Sequence, residues 1–582
     1  MNRLFAFTLL LFAASPAFAA DANGYTAQYE CRAGGQYCNV DVASLGNRTC
    51  DQIVSTSTPW SSINWSNSTI CLEAGDHTGK GTLTIPLSAN GTSGNYKVLR
   101  YYRSGDTNDE PWNQSSANKA KLLKLHIDSA NYWIIHRLSF PGTTVSSIQS
   151  RVWVDNTTGG TPTNIILNRL HILGSGFNNV LYYGVAETKG SNITLQNSVV
   201  GEYYGGSPPS EAVGVSFEQG SNNHIVNNEI YDYAGHPIQI GQNNGPTMGG
   251  FVIENNDVYQ STAMQTNGGT TIRGEDPISI KAGAKVDNNA QVIHNRVWGG
   301  RTTDYTLCCN GSGGGGIVIN QLPVDEVFPE GGYSSSGSYQ FTLLKNNIIF
   351  DSQWGLGWYP SGAEKNSVIG NIFYKIRDYD TSANSGAIFI KTSSSEFYLN
   401  SFINNSSDSI NYSGGASNDI RCNILLSGGL FAGSPPASAQ ADYNAFYDTP
   451  SFSYNGTNTN KVRSVSTRKN ATHYTVDDII QTGPTEACKT PSDSACFLYK
   501  VVTAGTTDGN APPYCTSLGC PVTDGTVSLQ AIRGPYTFYR KLRTSPEPYT
   551  IPYARAHASA PEATACPSEY AKRLGVGIND VN

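Results

Sequence analysis

A chain of 582 residues with 38% apolar residues and a formal charge of −7 can bury a sizeable core, which excludes a disordered polyelectrolyte. Mild acidity gives no general pull on nucleic acid or anionic membranes, so an acidic ligand would have to meet a local basic patch. Charged residues are scarce at 14% while Gly reaches 60 and Tyr 33, a composition that favours many short strands and tight turns over helices.

Residues 1–19 read as a secretory signal: Arg3, an apolar run Leu4–Phe12, and the small-residue site Ala17-Phe18-Ala19. That run is too short to span a bilayer, and no later run is long enough. The mature protein is therefore expected to be secreted or periplasmic, with no membrane or nucleic-acid partner, and to act as a monomer. The 12 cysteines all follow the signal, as suits an oxidising compartment. No CxxC pair occurs, so disulfides that staple the chain ends are expected instead of a zinc site.

Residues 20–75 are loop-rich and hold Cys31, Cys38, Cys50 and Cys71, which suggests an N-terminal cap. From 76 to 450 a two-part unit recurs. Its first part is a short apolar run ending in Asn, as in His224-Ile225-Val226-Asn227-Asn228-Glu229-Ile230 and Val252-Ile253-Glu254-Asn255-Asn256-Asp257-Val258. Its second part has the form Ile-x-Ile, as in Ile238-Gln239-Ile240 and Ile278-Ser279-Ile280. Such a unit cannot bury its apolar face alone, so copies must stack. Period-two alternation points one Asn of each run inward at a bend, where amides can hydrogen-bond up the column. Spacings of 24 and 29 residues suit coils of three strands, and longer ones imply loops inserted on particular coils. Residues 451–582, with Cys488, Cys496, Cys515, Cys520 and Cys566, form a C-terminal cap or appended segment.

These coils, with the entry segment Leu72-Glu73-Ala74-Gly75-Asp76 and Gly91-Thr92-Ser93-Gly94-Asn95, resemble the pectate-lyase-like superfamily of right-handed parallel β-helices. The entry is similar to that of chondroitinase-B-like and alginate-lyase-like chains. The resemblance implies an all-β solenoid with disulfide-bearing caps and an activity on polysaccharide. No complete catalytic signature is present: Asp276-Pro277 is followed by Ile278, not by the His-Asp of mannuronan epimerases. The scaffold alone does not choose among lyases, hydrolases, epimerases and adhesins.

Chemistry must then come from outward side chains. Lys281 alternates with Ile278 and Ile280 and so faces out; its position is similar to that of a pectate-lyase-like base. Arg273, Arg296 and Arg301 are candidate charge partners for it. A lyase on an acidic polysaccharide needs a base for the C5 proton and positive charge at the carboxylate, which Lys and Arg supply. A solvated surface lysine is the plainer account of Lys281. A second constellation aligns Glu211, His236 and Asp276, with the two carboxylates two coils apart, as in an inverting glycoside hydrolase. The plainer account is that these three cap bends. Tyr231, Tyr233, His294 and Trp298 are candidate substrate-binding residues, since aromatic faces stack on sugars. No cofactor is certain; Glu275, Asp276 and Asp287 offer hard oxygens for Ca2+. A polysaccharide lyase is the leading expectation. An inverting hydrolase and a non-catalytic carbohydrate-binding solenoid remain as alternatives.

Overall fold

The computed structural model describes strands and bends between Arg48 and Arg555. Residues 1–47, 556–582 and many connecting stretches lie outside the described residues, among them 105–118, 202–212, 242–249, 261–275, 282–289, 301–314, 321–338, 448–462 and 482–496. The chain is all-β and winds as a right-handed parallel β-helix, as the recurring units imply. Each coil contributes one strand to each of three sheets. In one coil these are His224–Val226 in sheet one, Glu229–Tyr231 in sheet two and Ile238–Ile240 in sheet three. Sheet one stacks 14 strands and sheet three 12. Pairing is parallel throughout the winding, for example Ile225↔Ile253, Ile230↔Val258 and Ile238↔Ile278.

The core follows from strand alternation. Ile225, Ile230, Ile238 and Ile240 all point into the bore and are fully buried, and each rung repeats the set. One apolar column thus runs from Val54 to Leu425.

The bend between sheets one and two is two residues long, and each residue has its own job. The first takes a left-handed conformation: Asn197 (φ 52°), Asn227 (56°), Asn255 (54°), His294 (58°) and Asn346 (55°). Asn tolerates that region because its short amide bonds locally. The second turns inward and builds a ladder. Asn228, Asn256, Asn295, Asn347, Asn371 and Asn400 each pass Nδ2 to the next Oδ1 at 2.9–3.1 Å, ending on Asn423. Each backbone N–H also donates to the next Oδ1, and each Nδ2 to a carbonyl of the preceding coil, so the buried amides are satisfied. Asn168 precedes Asn197 by the coil spacing of 29 residues. The register instead pairs Asn168 with Gln196, which leaves Arg169 at the left-handed position and Leu170 at the inward one.

Among the described residues, parallel pairing begins with Gln52–Val54 against Thr69–Glu73. The Cys50–Cys71 disulfide ties these first two strands. Past residue 450 pairing stays parallel through Arg463–Thr467 and Ile479–Gln481, then turns antiparallel at Phe497–Thr503 and Val527–Arg533. That end has its own core of Tyr474, Ile480, Tyr499, Val501, Val527 and Leu529, and a Cys515–Cys520 disulfide. Among the described residues no helix is long and apolar enough to cross a membrane.

Candidate active site

The sequence candidates separate onto two flanks. Lys281 ends the sheet-three strand Ile278–Lys281, paired to Asn320 on the next coil. Ile278 and Ile280 fill the bore, so Ser279 between them points outward, and Lys281 shares its parity. The Lys281 side chain lies outside the described residues, as do Arg273, Arg301, Glu211, Glu275 and Asp287.

At the entry to the same strand stands Asp276. Its Oδ1 accepts the Gly315 N–H at 2.7 Å, and its own carbonyl accepts from His236 Nδ1 at 3.1 Å. His236 is 2% exposed. The two residues therefore knit three successive rungs at the corner between sheets two and three. The column expected to join Glu211, His236 and Asp276 is two positions out. Val215 pairs Ile238 and Ile238 pairs Ile278, which places Val213 beside His236. Val213, not Glu211, is thus level with His236, and Glu211 itself lies outside the described residues.

The outer face of sheet three beside Lys281 is polar and covered. Ser216, Gln239 and Ser279 stand in one outward column. Ser216 and Ser279 are fully buried although they face away from the bore, and Gln239 is half-buried. The Ser279 hydroxyl makes no hydrogen bond among the described residues.

Arg296 is on sheet two, around the corner from Lys281. Its Nε is ion-paired to Asp257, whose side chain is 1% exposed. It therefore cannot serve as a charge partner on the sheet-three face: parity gave its outward direction, but not which flank it faces. Trp298 is 1% exposed, because it stacks between Tyr259 (4.2 Å between centroids, 3° between planes) and Phe350 (5.1 Å, 18°). Tyr231 opens this stack against Tyr259 at 5.3 Å, and a Cβ on Gly201 would sit 2.3 Å from its ring. Tyr233 is fully buried core, packed over Gly214. His294 is exposed at the bend between sheets one and two, where its Nε2 accepts from Asn346 Nδ2 at 3.1 Å. Trp298 and Tyr233 are thus closed to a sugar, and His294 faces another flank. Sequence reasoning missed Glu229 and Asp257, on adjacent rungs of sheet two; Glu229 Oε1 accepts the Tyr259 hydroxyl at 2.7 Å. Their outward parity was readable, but charged residues on a covered outer face give no separate signal.

At the other end of the sheet-three face, Trp153 carries the His126 ring at 4.7 Å and 19° and the Lys124 ammonium at 4.2 Å. Burial lowers the Lys124 amine, partly offset by Asp155.

No protein-family model matches the chain, and no curated protein matches it. Among solved structures it is similar to an alginate lyase from Paenibacillus sp., at 13% identity over 62% of this chain and 94% of that one, TM-score 0.31. It is also similar to a mannuronic acid specific polysaccharide family 6 lyase from human gut microbiota, at 13% over 72% and 87%, TM-score 0.41. A third is a GH136 lacto-N-biosidase from Eubacterium ramulus, at 13% over 69% and 67%, TM-score 0.37.

Proposed function

We propose that this right-handed parallel β-helix is an exported polysaccharide-active enzyme, a lyase that cleaves a uronic-acid-containing chain by β-elimination on the outer face of sheet three. The observation that carries the reading is the polar outward row beside Lys281: Ser216, the half-buried Gln239 and Ser279 share one column, and Lys281 ends the same strand as Ser279 with the same outward parity.

In this reading Lys281, as the neutral amine, takes the C5 proton of the uronate. The electron pair forms the C4–C5 double bond, the C4–oxygen bond breaks, and the departing oxygen takes a proton from the site. Positive charge at the uronate carboxylate stabilises the enolate, a task that falls to Arg273 or Arg301 now that Arg296 is committed to Asp257. His236 and Asp276 fix the strand entry and so the bearing of Lys281. The enzyme works as a monomer, in the periplasm or outside the cell, without nucleic-acid or membrane partners.

The test is a panel of alginate, pectate and glycosaminoglycans followed by absorbance of the unsaturated product. Activity should appear on an acidic polymer and fall by about 10²–10⁴ in Lys281→Ala with an unchanged melting temperature. Reducing ends released without unsaturation, or full activity in Lys281→Ala, would overturn the reading.

A further inference from the structure

We propose that His126, Asp128 and Asp155, at the N-terminal end of sheet three, form a binding site for a divalent first-row transition ion such as Zn2+. His126 and Asp128 lie two apart on the strand Lys124–Asp128, so both face outward from the same rung. Asp155 on the next rung pairs directly with Asp128. The ligand atoms of the three residues lie within 4.8 Å of one another. Ligands held about 2.1 Å from a zinc ion stand roughly 3.4 Å apart, so a small turn of the side chains closes the set.

The site is built, not merely crowded. Asp128 and Asp155 are 7% and 3% exposed, and the His126 side chain is 14% exposed. His126 Nε2 already meets Asp155 Oδ1 at 2.7 Å, and Trp153 fixes the imidazole plane by stacking. Asp128 Oδ1 accepts the Ser129 hydroxyl at 3.1 Å, which orients the second carboxylate. A hydrogen-bonded carboxylate ligand is the usual second layer of a metal site. All three side chains stand on paired strands of one sheet, so they are pre-positioned before any ion arrives. An imidazole with two carboxylates suits Zn2+, Mn2+ or Fe2+ better than Ca2+, whose sites use oxygen alone. Three protein ligands leave coordination positions open, and the ion would tie two rungs at one end of the sheet-three face. This inference does not depend on the lyase reading, since its readout is the bound ion.

The experiment uses untagged, full-length mature protein freed of metal with a chelator and then titrated with ZnCl2 by calorimetry. One ion per chain should bind, and the melting temperature should rise with added Zn2+ but not with the same concentration of Ca2+. His126→Gln, Asp128→Asn and Asp155→Asn should each weaken binding at least tenfold. Circular dichroism of the metal-free variants checks that they fold, and any one that folds carries the test. Absent zinc uptake, uptake unchanged in the variants, or a preference for Ca2+ would each overturn the assignment; the first would leave a plain His126–Asp155 hydrogen bond.

Discussion

Arg296 shows how a residue can be read correctly in direction and wrongly in role. Alternation places it outside the bore, and it is outside, but its guanidinium is spent on Asp257 in a covered site. Removing one partner of a buried pair strands a charge, so Arg296→Ala should cost about 3–5 kcal/mol in urea unfolding. The double change Arg296→Met with Asp257→Leu should cost much less. Well below its melting temperature, Arg296→Ala should keep the turnover of the parent, because the residue stands on another flank from Lys281. Two histidines, His136 buried and His171 half-buried, set a pH limit at the same scale. Burial, then Lys119, lowers His171 to about 4; burial, then Arg137, Arg169 and Arg100, holds His136 well below 6.5. Both folded-state values are depressed, so the unfolded chain binds more protons between them and the ordinary histidine value of 6.5. Their contribution to stability is complete above about 6.5 and is lost as pH falls toward 4. A melting-temperature profile should therefore drop across that window, and His171→Asn should flatten part of it.

At the scale of the element, the Asn ladder carries the clearest expectation. Asn295 donates to Asn347 Oδ1 and to the Ile253 carbonyl, and accepts from Asn256. Asn295→Ala removes these bonds and leaves buried neighbours unsatisfied, a cost of about 2–4 kcal/mol by chemical denaturation. Asn423→Ala, at the ladder's far end, should cost less, and equal costs would show that the amides act singly and not as a column. The ladder is also why the fold was legible in the sequence. An Asn repeated between apolar residues of fixed parity has one physical use, at an inward bend, and Asn228, Asn256, Asn295, Asn347, Asn371 and Asn423 all occupy it. The site was less legible for an equally physical reason. Parity tells inside from outside but not which of three sheets a side chain faces, so Arg296, His294 and Trp298 were grouped with Lys281 across a corner. Register was the second loss: the second-strand runs share an apolar-x-apolar pattern but no fixed start, and a slip of two residues keeps parity while bringing Val213, not Glu211, level with His236.

At the scale of the whole molecule, among the described residues the bore and the C-terminal end each have a core, and one rung links them. The bore's apolar column ends at Leu425, and the C-terminal core begins at Tyr474. Ile479–Gln481 pairs parallel with Arg463–Thr467 on one side and antiparallel with Phe497–Thr503 on the other, so it belongs to both. The smaller core is clamped by Arg468. Its Nε and Nη2 meet the two oxygens of Asp524 at 2.7 and 3.0 Å, and Nη2 also reaches the Asp508 and Asn510 carbonyls. Both side chains of the pair are buried, at 7% and 0% exposed. In a stacked array each unit is stabilised mainly by its neighbours, so a terminal unit with its own core can open before the rest. The tryptophans make this measurable. All 8, from Trp60 to Trp358, precede the C-terminal core, so their fluorescence follows the winding alone, whereas far-ultraviolet circular dichroism follows both. Arg468→Ala should bring an early dichroism phase to lower urea, by about 3–5 kcal/mol, while the fluorescence transition stays in place. If both probes instead shift together in the variant, the shared rung couples the two cores into a single cooperative unit, and the terminal module has no stability of its own.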